Sequence, residues 1–201
     1  QAARARVGHG LVAVRDGALV KARPDVALDL DGVVAGAAAD AIGERLGLLG
    51  IGSFYVEITG EVLCRGAKPG GEPWRVGVVD PASDAAGGQT AVRVLPLVDR
   101  ALCSSGDYRN AVVVDGRVVH HVFDPRTGRN PEHRVVSASV LATSCAVADA
   151  LGTALMVLGP DEARALWPRL EALGAEGALL LEPGADGAWR QLEITWPTED
   201  S

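Results

Sequence analysis

The protein has 201 residues, of which 48% are hydrophobic and 22% are charged, and its formal net charge at pH 7 is -7. This composition is typical of a folded domain with a sizeable core, and its scattered basic residues argue against nucleic-acid binding, which requires clustered Lys and Arg. No apolar run reaches the roughly 18 residues of a transmembrane helix, and three cysteines without CxxC spacing predict buried, reduced thiols. Because the chain starts at Gln1 rather than at methionine, we expect a preceding segment to carry any targeting signal, and no compartment is predicted.

The first half of the chain is predicted to consist mainly of strands. Residues 11–21 place two apolar runs around Asp16 and Gly17, a pair that favours a tight hairpin turn. Small residues over 35–49 predict a helix that ends at Gly50. Further strands, with a Gly/Pro-rich loop between the last two, are predicted over 26–30, 53–59 and 74–79.

In the second half, a hairpin over 112–123 is predicted to turn at Asp115–Gly116 and to lead into the turn DPRTG. The clearest helix covers 144–158 and ends at Gly159–Pro160. The other predicted elements are a strand over 134–141, a helix over 161–173 and strands over 176–182 and 189–195. Hairpins outnumber βαβ units, so we predict an α+β fold with mixed or antiparallel sheets and the 144–158 helix packed on the two hairpins.

One candidate cation site lies within the helix predicted over 144–158. Asp149 and Thr153 are four residues apart, so their oxygens lie one turn apart on the same helix face. Such a pair suits a hard cation such as Mg²⁺, which also keeps waters or substrate phosphates as ligands. The spacing is equally consistent with an aspartate that complements the helix dipole and a threonine that bonds to the backbone. Gly152 indicates a close approach to this helix, because glycine is unfavourable there.

Two neighbouring histidines precede the turn DPRTG. His120 and His121 lie in an extended segment, where adjacent side chains point to opposite sides, so one of them can face a given pocket. Histidine can take a proton from a hydroxyl near neutral pH, although a histidine in this context is often structural. Two further segments are compatible with phosphate binding: CSSGDYRN at 103–110, which also suits an ordinary turn, and DLDGVVAG at 29–36, where glycines lead into a helix N-terminus.

Six short segments form a pattern that extends from residue 29 to residue 159. They are DLDGVVAGAAAD, ITGEV, WRVGVVDP, SSGDY, HVFDPRTG and ADALGTALMVLG. In this order they resemble the ApbE-type family of FAD:protein FMN transferases. The resemblance implies a single ApbE-like, T-fold-related flavin transferase domain over 1–201, which would be the C-terminal two thirds of the family's usual length.

The resemblance also implies a set of site residues. A magnesium site would consist of Asp149, Thr153 and the carbonyl oxygen of Gly32, and His121 would be the catalytic base for the acceptor hydroxyl. The residues implied to bind the flavin nucleotide are Gly32, Ala35, Gly60, Ser104, Ser105, Gly106 and Asp124.

This sequence differs from the family pattern at the nucleotide site. Ala35 replaces the family's lysine, Asp31 replaces a glycine, and Thr59 stands where the family has glycine. The first two changes make the position less favourable for an anionic diphosphate, so a compensating cation such as Arg45 or Arg126 is expected if FAD is used.

The function implied by the resemblance is magnesium-dependent transfer of FMN from FAD to a Thr or Ser of an acceptor protein. A preceding segment or a partner chain is expected to complete the site. Three alternatives remain open: hydrolysis of FAD to FMN and AMP with water as acceptor, non-catalytic flavin binding, and an ApbE-like scaffold recruited to other, biosynthetic chemistry.

Overall fold

The computed structural model describes residues 6–88, 90–108, 111–114 and 117–197. The strands are β1 Val12–Arg15, β2 Ala18–Lys21, β3 Phe54–Ile58, β4 Glu61–Arg65, β5 Trp74–Val79, β6 Ala91–Leu97, β7 Ala101–Gly106, β8 Val112–Val114, β9 Arg117–Val119, β10 Ser137–Ala142, β11 Ala175–Pro183 and β12 Trp189–Ile194. The helices are α1 Val34–Leu48, α2 Pro81–Ala85 and α3 Cys145–Ala172, and a short 3-10 helix covers His9–Leu11.

A six-stranded antiparallel sheet in the order β12-β11-β10-β7-β4-β3 forms the centre of the fold. Its inner strands are buried on both faces, because helices cover one face and a hairpin covers the other. Along β10, Val140 packs towards the helices, whereas its neighbour Leu141 packs towards the hairpin. Successive strand residues point to opposite faces, so one strand contributes to both cores.

The helical layer consists of α1 and α3, which pack against each other and against the central sheet. Their close approach depends on Gly36, because a Cβ there would overlap the Cys145 carbonyl oxygen and lie 2.8 Å from the Cβ of Asp149. The helix α3 is broken at Gly159, where φ is 70° and ψ is -179°. Pro160 follows, so the break separates the two helices predicted over 144–158 and 161–173.

The opposite face of the sheet is covered by the β5–β6 hairpin. Val76, Val78, Leu95 and Leu97 of this hairpin pack against the sheet, and Trp196 joins the same core. This second layer explains why buried and exposed residues do not alternate along β4: Val62, Leu63 and Cys64 are all buried.

The predicted antiparallel α+β class is confirmed, as are the hairpin at Asp16–Gly17, the helix that ends before Gly50, and the buried free thiols of the three cysteines. The strand predicted over 26–30 is wrong: this segment is irregular and has only Val26 buried, because no neighbouring strand pairs with it. The loop predicted between 59 and 74 is also wrong in part, because it contains β4.

The predicted location of the two hairpins needs correction. Pairs β1–β2 and β8–β9 each form a separate two-stranded sheet, whereas the principal contacts of α3 are with α1 and the central sheet. The second strand of the second hairpin is shorter than predicted, and the hairpin's turn at Asp115–Gly116 lies outside the described residues. All residues of β1 and β2 except Val12 are exposed, so this hairpin contributes little to either core.

Candidate functional site

The start of α3 is held by an aspartate from α1. Asp40 accepts hydrogen bonds from the Ser144 hydroxyl (2.7 Å) and from the backbone N–H groups of Cys145 (2.9 Å) and Ala146 (3.0 Å). A carboxylate at this position satisfies donors that have no partner within the helix and complements the helix dipole. This contact sets the N-terminus of α3 against α1 and so places the next turn of α3, which contains Asp149.

Asp149 is a buried carboxylate with an exposed fraction of 5%. Its Oδ2 accepts a hydrogen bond of 2.9 Å from the backbone N–H of Gly36, in the first turn of α1. Burial raises the pKa of Asp149, and the Gly36 hydrogen bond opposes that rise. A buried carboxylate is normally paired with a cation or coordinated to a metal, so Asp149 is a suitable ligand for a cation.

Thr153 lies one turn further along α3, beside Gly32. A Cβ on Gly32 would lie 3.3 Å from the Thr153 hydroxyl oxygen, a tight contact that would require Thr153 to shift by a few tenths of an ångström. The same hydroxyl shares a hydrogen bond of 3.1 Å with the hydroxyl of Ser105. Gly152 permits this contact, because a Cβ there would lie 2.9 Å from the Ser105 oxygen. The close approach predicted from Gly152 is therefore that of strand β7.

The predicted metal ligands therefore lie around the segment that leads into α1. Asp149 contacts Gly36, and Thr153 contacts Gly32, so a carboxylate and a hydroxyl converge on one end of this helix. These hard oxygen donors fit Mg²⁺. Within the described part of the chain no three His, Cys, Asp or Glu side chains come together as a metal site. A magnesium ion here would accordingly take its other ligands from backbone carbonyls, water and substrate phosphate.

The predicted nucleotide-binding serines do not lie together. Ser105 points to the helix face, where it meets Thr153, whereas Ser104 points to the other face and bonds to the Ser139 hydroxyl at 2.7 Å. Adjacent residues of a strand necessarily take opposite faces. Gly106 is covered by the ring of Tyr108, which leaves no room for a side chain.

Gly60 forms the tip of the β3–β4 turn with a φ of 110°, and it is exposed. Strands β4 and β7 are antiparallel, with Val62 opposite Leu102. The turn at Gly60 therefore lies next to Ser104, at the same end of the two strands. Gly60 is therefore near the end of β7 that contains Ser104 to Gly106. Because glycine has no side chain, a ligand can approach the backbone closely at this position.

Asp124 is buried and closes the turn DPRTG. Its backbone oxygen accepts from the N–H groups of Thr127 (3.2 Å) and Gly128 (2.7 Å), and its carboxylate accepts from both the backbone and the guanidinium of Arg126. The side-chain hydrogen bond from Arg126 lowers the pKa of Asp124. Arg126 also pairs with Glu162 of α3 at 2.8 Å. In this structure Asp124 therefore fixes the turn.

The two neighbouring histidines have different environments. His121 is exposed, whereas His120 is half-buried, with its Nε2 3.6 Å from Oδ2 of Asp107. Asn130 holds the backbone of this segment, because its amide donates to the carbonyls of His120 (2.8 Å) and Val122 (2.6 Å). His121 is thus presented to solvent by a segment that is fixed on its inner side.

The position of Ala35 lies in the first turn of α1 and is half-buried. Arg45 is ten residues further along the same helix, which corresponds to about 15 Å, so it does not compensate for the missing lysine. Arg126 is engaged with Asp124 and Glu162.

Comparison with known proteins identifies the family of this fold and site. The ApbE family profile matches residues 1–175. The chain belongs to the ApbE family. A FAD:protein FMN transferase of Vibrio cholerae is 36% identical over 165 residues, which cover 82% of this chain and 48% of that protein. The corresponding protein of Escherichia coli K12 is 39% identical over 147 residues, which cover 73% of this chain and 41% of that protein.

Solved structures of ApbE proteins share this architecture. The flavin transferase ApbE from Vibrio cholerae superposes with a TM-score of 0.78 at 32% identity and covers 96% of this chain and 58% of its own. The apo form of the flavinyl transferase ApbE from Pseudomonas stutzeri gives a TM-score of 0.79 at 35% identity, with coverages of 96% and 56%. The chain spans about half the length of the curated ApbE relatives it matches.

Two residues near the candidate site, Asp40 and Asp107, were not identified from the sequence. Asp40 is the last residue of the first family segment, so its place in that segment could have identified it as a candidate site residue. Asp107 lies in the segment SSGDY, but its pairing with His120 depends on a contact between distant parts of the chain.

No helix in the described residues has the length and apolar character needed to cross a membrane.

Proposed function

We propose that the protein is a magnesium-dependent transferase that moves FMN from FAD to a Thr or Ser hydroxyl of an acceptor protein. The observation that carries this proposal is the convergence of Asp149 and Thr153 on the segment from Gly32 to Gly36. The names of the matched relatives agree with it.

The N-terminus of α1 supplies the first element of the proposed chemistry. The helix dipole at this end favours an anion. The N–H groups of Val34 and Gly36 donate to the Leu30 carbonyl and to Asp149, so an anion would bind beside these two groups. The FAD diphosphate would lie here. A bound Mg²⁺ would neutralise the diphosphate charge and polarise the phosphorus that is attacked.

The strand β7 connects this helix end to the proposed base. Ser105 contacts Thr153 and lies two residues before Asp107, about 7 Å along an extended chain. Asp107 in turn lies beside His120, the neighbour of His121. A flavin nucleotide that extends from the N-terminus of α1 along β7 would therefore approach the histidine segment.

His121 would take the proton of the acceptor hydroxyl. The hydroxyl oxygen then forms a bond to the FMN phosphorus, the bond from that phosphorus to the bridging oxygen breaks, and AMP leaves with that oxygen. The product is FMN joined to the acceptor through a phosphoester. An acceptor protein, and a preceding segment or partner chain that completes the flavin site, are part of this proposal.

The test is incubation with FAD and Mg²⁺, with and without an acceptor protein, followed by HPLC of the nucleotides and mass spectrometry of the acceptor. We expect AMP release coupled to a mass increase of one FMN on the acceptor, and its loss when Mg²⁺ is chelated. The His121→Ala variant should lose transfer by about a hundredfold or more, whereas His9→Ala, an exposed histidine of the 3-10 helix, should retain it. Free FMN and AMP in equal amounts without an acceptor product would instead support hydrolysis.

A further inference from the structure

The two-residue turn between β3 and β4 contains a strained threonine. Ile58 pairs with Glu61, so Thr59 and Gly60 alone connect the two strands. Both have a positive φ, 55° at Thr59 and 110° at Gly60. A tight hairpin turn of this kind favours Asn, Asp or Gly at its first position, whereas a β-branched residue is unfavourable there. Thr59 therefore reduces stability at a position where the family pattern has glycine.

The hydroxyl group of Thr59 holds a carboxylate. Its Oγ1 donates a hydrogen bond of 2.8 Å to Oε2 of Glu61, the first residue of β4. Glycine cannot make this contact, so the strained residue supplies a hydrogen bond that the favourable residue lacks. Backbone strain of this kind concentrates at functional sites. The position of Glu61 in the sheet indicates which function the contact serves.

Glu61 lies on the helix-facing side of the central sheet. Its neighbours in β4 divide between the two cores, because Leu63 packs towards the helices and Val62 packs towards the β5–β6 hairpin. Side chains alternate along a strand, so Glu61 shares the side of Leu63. Ser105 meets Thr153 on this same side. The carboxylate and the candidate metal ligands therefore lie on the same side of the sheet.

The strand register places Glu61 beside the end of β7. Val62 lies opposite Leu102 in the antiparallel pair of β4 and β7. One residue earlier in β4, Glu61 lies opposite Cys103 and is a diagonal neighbour of Ser105. Diagonal neighbours are about 7–8 Å apart, which is within reach of a long side chain. The half-buried Glu61 can therefore reach a ligand that lies beside Ser105.

A carboxylate in this place suits hydroxyl groups rather than phosphate. It repels the diphosphate of FAD, but it accepts charge-assisted hydrogen bonds from O–H donors. FAD carries such donors on both sides of its diphosphate, on the ribityl chain of the FMN half and on the ribose of the AMP half. A diphosphate bound at Asp149 and Thr153 would bring one of these groups of hydroxyls to the neighbouring strands.

We propose that Glu61 binds the sugar hydroxyls next to the FAD diphosphate, and that Thr59 orients the Glu61 carboxylate for this contact. This inference rests on the proposed transferase function and adds a substrate contact to it. Glu61 is the binding residue, whereas Thr59 acts through Glu61 and is a positioning residue.

The first experiment is a fluorescence titration of Glu61→Gln with FAD in the presence of Mg²⁺. We expect the affinity to fall by about tenfold, because a neutral amide accepts weaker hydrogen bonds than a carboxylate. The direction of the change is decisive: without a contact to FAD, removal of a negative charge near the diphosphate would strengthen binding. An unchanged or higher affinity would therefore overturn the proposal. The control is Glu57→Gln, next to the same turn on the opposite side of the sheet, which should match the wild type.

The second experiment compares Thr59→Gly with Thr59→Ser by thermal unfolding and FAD titration. Thr59→Gly relieves the backbone strain and should raise the unfolding midpoint by about 2–4 °C. It also removes the hydroxyl, so the affinity for FAD should fall by about threefold to fivefold. Thr59→Ser keeps the hydroxyl and should retain the wild-type affinity. A purely structural threonine would change only the unfolding midpoint, so an unchanged affinity in Thr59→Gly, or an equal loss in Thr59→Ser, would contradict the role of Thr59.

The third experiment uses calorimetric titrations with FMN, which carries the ribityl hydroxyls, and with ADP, which carries the ribose hydroxyls, each with Mg²⁺. A loss of affinity in Glu61→Gln for one of the two assigns the contact to that half of FAD. Equal losses, or none, would overturn the contact.

These titrations also separate this inference from the transferase function, because they require no transfer. If the wild type binds nucleotides but transfers no FMN, the transferase function fails, and the titrations still decide the role of Glu61. If transfer occurs and the Glu61 and Thr59 variants bind as the wild type does, this inference alone fails. Failure of the wild type to bind FAD, FMN and ADP would overturn both.

Discussion

The backbone N–H of Gly36 donates a hydrogen bond of 2.9 Å to the carboxylate of Asp149, a residue 113 positions later in the chain. This contact joins the first turn of α1 to the first turns of α3, beside Gly36, where a Cβ would overlap the Cys145 carbonyl oxygen. A single backbone donor does not satisfy a buried carboxylate. The same geometry that packs the helices therefore leaves an anionic group available for a cation.

Asp149→Asn should stabilise the metal-free protein at neutral pH and abolish its stabilisation by Mg²⁺. The folded-state pKa of Asp149 is raised, so the favourable protonated form is present at acid pH and is lost as the pH rises through that pKa. In this variant the side-chain amide oxygen still accepts the hydrogen bond from the Gly36 N–H, but the buried negative charge is gone. Thermal unfolding from pH 4 to 8, with and without Mg²⁺, checks this.

In that experiment the wild type should gain about 2.7 kcal/mol when Mg²⁺ is present at a hundred times its dissociation constant. The metal-free wild type should also become more stable on acidification relative to Asp149→Asn. Equal Mg²⁺-induced shifts in the two proteins would show that Asp149 is not a ligand.

Thr153→Val should weaken Mg²⁺ binding by about tenfold, because the nearly isosteric side chain removes one oxygen ligand, at a cost of about 1.4 kcal/mol. Ser105→Ala is the matched control, because it removes the same 3.1 Å hydrogen bond but leaves the Thr153 hydroxyl in place. Isothermal titration calorimetry with Mg²⁺ and a flavin nucleotide measures both. If the two variants bind Mg²⁺ equally well, Thr153 has only a structural role.

Gly36→Ala should destabilise the protein by about 1–3 kcal/mol, because a new Cβ would overlap the Cys145 carbonyl oxygen at the helix crossing. Gly47→Ala is the internal control: it lies in the same helix, has open space around its Cα, and should stabilise by about 0.5–1 kcal/mol. Urea denaturation of both variants tests this. Equal and small effects would mean that α1 and α3 are further apart than described.

Ala35→Lys should increase the affinity for FAD by about tenfold to a hundredfold, because a charge-assisted hydrogen bond to phosphate contributes roughly 1.5–3 kcal/mol. Arg45 is too distant to supply this cation already, as its position on α1 shows. Ala37→Lys adds the same charge on an exposed position of the same helix and should have little effect. Fluorescence titration with FAD, with and without Mg²⁺, distinguishes the variants.

No change in FAD affinity for Ala35→Lys would mean that the position is already served by another cation. Absence of FAD binding by the wild type and by both lysine variants would contradict the proposed function, while the ApbE fold would stand.

Local chemistry was sufficient to predict the elements whose ends depend on a few neighbouring residues. The turn at Asp16–Gly17, the end of α1 before Gly50 and the break at Gly159 follow from positive φ values that these residues tolerate. Helix periodicity alone likewise predicts that Asp149 and Thr153 lie on the same face of α3.

Elements that depend on distant partners could not be predicted in this way. The sequence predicts a loop where β4 lies, because burial on both faces removes the alternation by which a strand is usually identified. The segment 26–30 has strand-like composition, but it lacks a neighbouring strand that would supply the missing backbone hydrogen bonds.

The family and the residue types of the candidate site can be predicted from the amino-acid sequence, because short segments in a recognisable order carry them. Which of these side chains meet depends on the tertiary structure. It separated Ser104 from Ser105 onto opposite faces of β7, placed Asp40 at the start of α3, and turned His120 rather than His121 towards Asp107. The physical reason is that side-chain direction depends on strand register and helix packing, which are set by contacts between residues far apart in the chain.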